Sequence, residues 1–176
     1  MTTAPTLFTP EAAAATTAAG PRPYVITLPA GLDLINANQR IHEKARARLT
    51  KKIRAAATEA VSENPALIDA LAAAKPGPLF ERAHILGVLC PSTYGRRRDP
   101  ANWYGSFKAA VDGLVDAGLL DDDDHEHVVG PDMRLGEKVK GGQIVLIVRG
   151  LAAGEDPLGG VAMSGCQRQA REAVTR

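Results

Sequence analysis

The segment from Gln39 to Val61 constrains the fold most. Apolar residues recur along it at steps of three or four, which predicts an amphipathic helix with one buried face. These positions are Ile41, Ala45, Leu49, Ile53, Ala56 and Ala60. The polar face is heavily basic, so the helix is expected to present a positively charged side to its surroundings.

Shorter patterns predict the elements around this helix. Runs of β-forming residues predict strands at Tyr24–Leu28, at His84–Leu89, around His127–Leu135, and at Gln143–Val148 after the Gly141–Gly142 turn. Two further helices are predicted, one at Pro65–Ala74 and one that begins at Asp99–Pro100 and ends at Gly118. The order β-α-(α)-β-α-β-β indicates an α+β fold, a small single domain with helices packed on a mixed β-sheet.

Length and composition limit the domain organisation. A chain of 176 residues suits one domain, which we place at residues 23–149. Residues 1–22 are rich in Ala, Thr and Pro, and residues 150–176 begin rich in Gly and Ala, so both are expected to be disordered tails. The apolar stretches are too short for a membrane span, and two cysteines exclude a disulfide scaffold.

Charge is strongly segregated although the total is nearly neutral, with 21 basic and 20 acidic residues. Residues 39–54 hold seven basic side chains and one acidic, whereas residues 112–126 hold seven carboxylates and no lysine or arginine. Such a chain can contact a polyanion with one part and a cation with another. The candidate nucleic-acid contacts are Lys44, Arg48, Lys51, Lys52, Arg96, Arg97 and Arg98.

The acidic stretch and the arginines before Asp99 suggest metal-dependent phosphodiester chemistry. Crowded carboxylates repel one another unless a cation neutralises them, and hard oxygen ligands suit Mg²⁺, with Mn²⁺ as the alternative ion. Arginines bind phosphate through two parallel hydrogen bonds. A metal-dependent phosphodiesterase needs both groups, one to activate water and the other to hold the backbone.

Each of these features also has a purely structural interpretation. Asp99 before Pro100 is a favoured helix N-cap, and Lys108 with Asp112 is an ordinary surface pair four residues apart. The Asp121–Asp124 run is typical of a solvated loop. Taken singly, none of them identifies an enzyme.

The joint pattern is more specific. Arg96-Arg97-Arg98-Asp99-x-x-Asn102 is followed by Lys108-Ala-Ala-Val-Asp112-Gly-Leu, then by Ala117-Gly-Leu and an Asp cluster. With Pro23-Tyr-x-Ile-Thr-Leu-Pro29 near the start and the Gly141-Gly142 turn, this resembles the RusA family of Holliday junction resolvases, in its actinobacterial and phage variety. The resemblance covers roughly residues 23–149, in order.

The resemblance implies a homodimeric, Mg²⁺-dependent endodeoxyribonuclease that cuts branched double-stranded DNA at four-way junctions. It implies catalytic roles for Asp99, Lys108 and Asp123, with Asp99, Asp123 and Asp124 as metal ligands. Counting from Gly118 favours Asp123 as the late acidic ligand, whereas counting back from Val128 favours Asp124. The expected location is the cytoplasm of a bacterium, or of the host of a phage.

One departure from the family pattern bears on activity. The family motif is Asp-x-Asp-Asn, but Ala101 stands at the second Asp. Asp112 is the nearest replacement, although a helix would carry it about 20 Å from Asp99. A junction-binding protein with weakened or no catalysis therefore stays open as an alternative, as does a regulator that binds divalent ions through the Asp loop.

Overall fold

The computed structural model describes residues 22–93 and 98–157. Its elements are the strands β1 (Tyr24–Thr27), β2 (Ala83–Cys90), β3 (Val128–Leu135) and β4 (Gln143–Gly150), and the helices α1 (Glu43–Ser62), α2 (Pro65–Ala74) and α3 (Tyr104–Asp116). A short 3₁₀ helix, Pro100–Trp103, leads directly into α3. Most of the two predicted tails lies outside the described residues, namely residues 1–21 and 158–176. The predicted DNA contacts Arg96 and Arg97 also lie outside them.

The four strands form one mixed sheet in the order β1-β4-β2-β3. Strand β4 pairs antiparallel with both β1 and β2, whereas β2 and β3 are parallel. Because parallel neighbours need a crossover, α3 connects β2 to β3 and is held against the sheet. The predicted α+β class with a mixed sheet is confirmed.

All three helices contribute to one core on one face of the sheet. Alternate residues of β2 and β4, such as Ile85 and Leu146, are fully buried against Phe107 and Leu114 of α3. The closest contacts occur at glycines: a methyl group on Gly87 would lie 2.5 Å from the Phe107 ring, and one on Gly113 would lie 2.4 Å from the Arg54 carbonyl oxygen. These contacts fix α3 between the sheet and α1.

The other face of the sheet has no helix on it within the described residues. Its alternate positions include partly covered apolar residues and also polar ones; the apolar residues are Val25, Leu86, Val88, Val145 and Ile147, and the polar ones are Thr27, His84, Asp132, Arg134 and Arg149. Val25 is 52% exposed. In the described part of the chain, no helix is long and apolar enough to cross a membrane.

Several element boundaries differ from the predictions by a few residues. Helix α1 begins at Glu43 rather than Gln39, because His42 accepts a hydrogen bond from the Lys44 backbone N–H and acts as its cap. The predicted helix at Asp99–Pro100 begins with the 3₁₀ turn. Strand β4 continues to Gly150 rather than ending at Val148, and Glu155 beyond it pairs with Arg149.

Candidate functional site

Lys108 lies between two carboxylates. It is on α3, one turn before Asp112, and its Nζ lies 2.7 Å from Asp112 Oδ1. The same Nζ also contacts Asp123 Oδ2, from the acidic loop that follows α3. The Asp112 and Asp123 side chains are only 22% and 21% exposed. The structure therefore brings together two predicted catalytic residues, Lys108 and Asp123, with Asp112 as a third member.

A pocket of about 150 Å³ opens beside these residues, lined by Arg54, Asp112, Val115, Asp122 and Asp123. Arg54 comes from α1 and binds Asp116 through both Nε and Nη2. This hydrogen-bonded pair lowers the pKa of the Asp116 carboxyl below its ordinary value. The basic helix and the acidic stretch, far apart in sequence, thus meet at Arg54.

The charge around this pocket is negative. Two cations, Lys108 and Arg54, face four carboxylates, which leaves a formal charge of −2; the carboxylates are Asp112, Asp116, Asp122 and Asp123. A negatively charged group of side chains attracts cations, and it holds its own cationic members, Lys108 and Arg54, through ion pairs. We call Lys108, Asp112 and Asp123, with Arg54 beside them, the Lys108 cluster.

Asp99 is not part of this cluster. Its side chain accepts a hydrogen bond from the Ala101 backbone N–H at 3.0 Å and caps the 3₁₀ turn. Lys108 follows about 14 Å further along, given ~2.0 Å per 3₁₀ residue and ~1.5 Å per α-helical residue. In the described part of the chain, Asp99 has no hydrogen bond or ion pair with Asp123 or Asp124.

The Asp124 side chain forms its hydrogen bonds within its own loop. Its Oδ1 accepts hydrogen bonds from the Glu126 and His127 backbone N–H groups, at 2.9 and 3.1 Å, and lies 2.7 Å from His127 Nδ1. The hydrogen bond with His127 lowers the pKa of Asp124 and raises that of His127. Counting along the sequence left Asp123 and Asp124 as alternative metal ligands. In the structure Asp123 contacts Lys108, whereas Asp124 bonds to the backbone of the turn that follows it.

The predicted group of Asp99, Asp123 and Asp124 does not form a metal site in this arrangement. Among residues 22–93 and 98–157, no three His, Cys, Asp or Glu side chains are grouped closely enough to hold a metal ion. The oxygen donors of Asp112 and Asp123 suit Mg²⁺ by chemical type, and Mg²⁺ in proteins commonly takes one or two carboxylates and completes its shell with water and phosphate.

The predicted nucleic-acid contacts fall in two places. Lys44, Arg48, Lys51 and Lys52 are exposed along one face of α1, opposite its buried face at Ile53 and Ala57. Arg98 lies elsewhere, next to Trp103, with its guanidinium carbon 5.9 Å from the centre of the indole ring. We call the four exposed α1 residues the basic face.

In the sequence Arg54 is only one of the seven basic residues of 39–54, and no pattern connects Asp116 to a site. The only sequence signal for a role of Arg54 was its place on the side of α1, directly after the buried Ile53. Its pairing with Asp116 depends on how closely α1 crosses α3 at Gly113, which one sequence does not reveal.

Comparison with known proteins adds no family assignment: no protein-family model matches the chain, and no curated protein is significantly similar to it. The resemblance to the RusA family therefore stays a prediction that rests on the sequence motifs alone.

Proposed function

We propose that this protein is a RusA-like endodeoxyribonuclease that binds four-way DNA junctions and hydrolyses phosphodiester bonds in recombination or repair. The observation that carries the proposal is the Lys108 cluster. In this cluster a lysine lies between two carboxylates and beside an arginine from the basic helix. Phosphodiester hydrolysis needs cationic groups for the phosphate and anionic groups for a divalent ion, and the cluster contains both.

The basic face is proposed to hold the DNA backbone. From Lys44 to Lys52 it extends about 12 Å at ~1.5 Å per residue, a length over which duplex DNA carries about seven phosphate charges at one per ~1.7 Å. Four exposed cations on that length neutralise a large share of them. Binding by this face is independent of base sequence and weakens with added salt.

Lys108 and Arg54 are proposed to act on the scissile phosphate. The Lys108 ammonium, oriented by Asp112 and Asp123, stabilises the negative charge that develops on a phosphate oxygen. Arg54 is fixed by Asp116 and can reach the same anion from α1. Because both cations are already held, little reorganisation is needed when the substrate arrives.

Mg²⁺, with Mn²⁺ as an alternative, would be held by Asp112 and Asp123 together with water and substrate. When bound it supplies activation of water and neutralisation of charge. Asp99 is the less suitable ligand, because its carboxylate caps the 3₁₀ turn, whereas Asp123 contacts Lys108 further along α3. Ala101 removes the oxygen donor that would have accompanied it.

A homodimer follows from the substrate, because cutting two strands of a junction needs two equivalent sites. The outer face of the sheet is the proposed contact, since its alternate apolar residues are left partly exposed and no described helix covers them. That face is opposite the one on which α1 and α3 pack, so dimerisation would leave the Lys108 cluster accessible.

Cleavage of a labelled four-way junction tests the proposal. Asp123→Asn is expected to reduce Mg²⁺-dependent cleavage at least about 100-fold, the scale on which a preorganised charged group acts. The control, Asp121→Asn, removes the same charge from an exposed residue of the same loop and is expected to retain activity. Equal activity of the two variants would contradict the role of the Lys108 cluster.

Asp99→Asn separates a structural role from a catalytic one. Asn caps helices about as well as Asp, so folding is expected to be unchanged. On the arrangement described, cleavage by this variant falls less than cleavage by Asp123→Asn. A loss as large as that of Asp123→Asn would show that Asp99 acts on the substrate.

A second function is favoured by one observation, the capping role of Asp99 next to Ala101. On that reading the protein binds junctions without cutting them. Tight, salt-sensitive binding in the presence of chelator, together with intact junctions after incubation with Mg²⁺ or Mn²⁺, would select this second function over the first.

A further inference from the structure

A larger pocket, of about 460 Å³, lies apart from the Lys108 cluster. The segment before α1 forms one wall with Leu34 and Gln39, and Leu49 of α1 adds to it. The end of β2, the Gly141–Gly142 turn, Arg98 and Trp103 complete the lining. The volume falls within the range of pockets that bind small organic ligands, about 300–1,000 Å³.

The Arg98–Trp103 pair gives this pocket an aromatic surface and a fixed positive charge. The guanidinium lies over the indole ring, and its Nη2 donates to Thr93 Oγ1 at 3.2 Å. Its Nε is buried and has no hydrogen-bond partner in the part of the chain that the structure describes. A buried charged donor without a partner is uncommon and indicates that a ligand or water completes the site.

Two other polar side chains on the lining, Gln39 and Asp33, could form hydrogen bonds with a ligand. Gln39 Oε1 accepts a hydrogen bond from the Asn36 backbone N–H, which leaves its amide N–H groups without a described acceptor. The exposed Asp33 carboxylate lies on the same lining. A carboxylate and an amide can bind the edge of a heterocyclic base, as they do in nucleic-acid recognition.

We propose that this pocket binds a single nucleotide, with its base against Trp103 and among the apolar side chains and its phosphate at Arg98. Leu49 on its wall follows Arg48 in the sequence, so the pocket and the basic face share helix α1. An unpaired or extruded nucleotide of a DNA strand that follows the basic face is the occupant.

This inference takes its ligand class from the proposed function, but its test uses neither a junction nor cleavage. Trp103 is the chain's single tryptophan, so its indole N–H gives one resonance that reports on the pocket directly. The full chain is titrated with each of the four deoxynucleoside monophosphates, with deoxyribose 5-phosphate and with inorganic phosphate.

At least one nucleotide is expected to shift the Trp103 resonance saturably and to bind about tenfold or more tightly than deoxyribose 5-phosphate, because burial of the base among the apolar side chains contributes the difference. Arg98→Ala is expected to weaken that binding at least fivefold. Arg134→Ala, an exposed arginine on β3 outside the pocket, is the matched control and is expected to leave it unchanged.

Two results would overturn the inference. If no nucleotide shifts the resonance, the pocket does not bind nucleotides; if the sugar phosphate binds as tightly as the nucleotides, the site is a simple anion site at Arg98. The comparison of ligands uses the unaltered protein, so it decides the matter even if Arg98→Ala fails to fold. Nucleotide binding without junction cleavage would defeat only the proposed nuclease, and cleavage without nucleotide binding would defeat only this inference.

Discussion

Replacing Gly113 with Ala tests the helix crossing that positions Arg54 beside the Lys108 cluster. The added methyl group would lie 2.4 Å from the Arg54 carbonyl oxygen and 2.7 Å from Ala57 Cβ. Neither atom can turn away, because one belongs to the backbone and the other is fixed to it. The two helices must therefore separate, and the Thr58 hydroxyl would lose its 3.0 Å hydrogen bond to the Gly113 carbonyl.

The expected cost follows from two opposing effects. Overpacking a close contact costs about 3 kcal/mol at the upper end of its range, and replacing Gly by Ala inside a helix returns about 1 kcal/mol. The free energy of unfolding is thus expected to fall by about 2 kcal/mol, which corresponds to a melting temperature lower by about 8 °C for a domain of this size.

Thermal and urea unfolding followed by circular dichroism measure this difference. Gly105→Ala is the matched control on the same helix, since its methyl group meets only the Ile35 side chain, at 3.3 Å. That variant is expected to stay within about 0.5 kcal/mol of the unaltered protein or to exceed it. If Gly113→Ala proves as stable as Gly105→Ala, α1 and α3 do not cross as closely as described.

Three further predictions concern the acidic loop, the sheet and the basic face. The hydrogen bond to Asp124 raises the pKa of His127, so the stability contributed by His127 is fully present below its unfolded-state pKa and is lost as pH rises through its folded-state pKa. The same bond lowers the pKa of Asp124, so the stability contributed by Asp124 is lost as pH falls through its folded-state pKa. Asp124→Asn should return the His127 pKa, measured by NMR titration, towards its ordinary value; an unchanged pKa would refute the contact. Gly87→Ala places a methyl group 2.5 Å from the Phe107 ring and is expected to lower stability by about 1–3 kcal/mol in urea unfolding, whereas a neutral effect would contradict the packing. Lys52→Ala is expected to weaken DNA binding equally for all sequences and to reduce the slope of log K against log salt by about one, and a sequence-dependent loss would argue against a backbone contact.

The parts of the structure that depend on local sequence were predictable. The helix at Pro65–Ala74 agrees in both limits, and the Lys108–Asp112 pair follows from a spacing of four residues on a helix. The mixed sheet was also predictable from the sequence, because the order of helices and strands, with a helix between two strands, allows few arrangements of the sheet.

The parts that depend on tertiary placement were not predictable from one sequence. Counting along the chain left Asp123 and Asp124 equivalent, and only the path of the loop turns Asp123 towards Lys108 and Asp124 towards His127. The pairing of Arg54 with Asp116 required knowledge of the helix crossing. The prediction that Asp99 joins the acidic loop needed that loop to fold back to the start of α3; in the structure Asp99 caps the 3₁₀ turn and Asp123 contacts Lys108.

Mapping the nicks made in a four-way junction tests the proposed function most directly. The purified protein is incubated with Mg²⁺ and a junction labelled on each strand in turn, beside a linear duplex of the same sequence. We expect paired nicks at symmetric positions in opposite strands, absent from the duplex and abolished by Lys108→Met. Junctions left intact, or a duplex cut equally well, would contradict it.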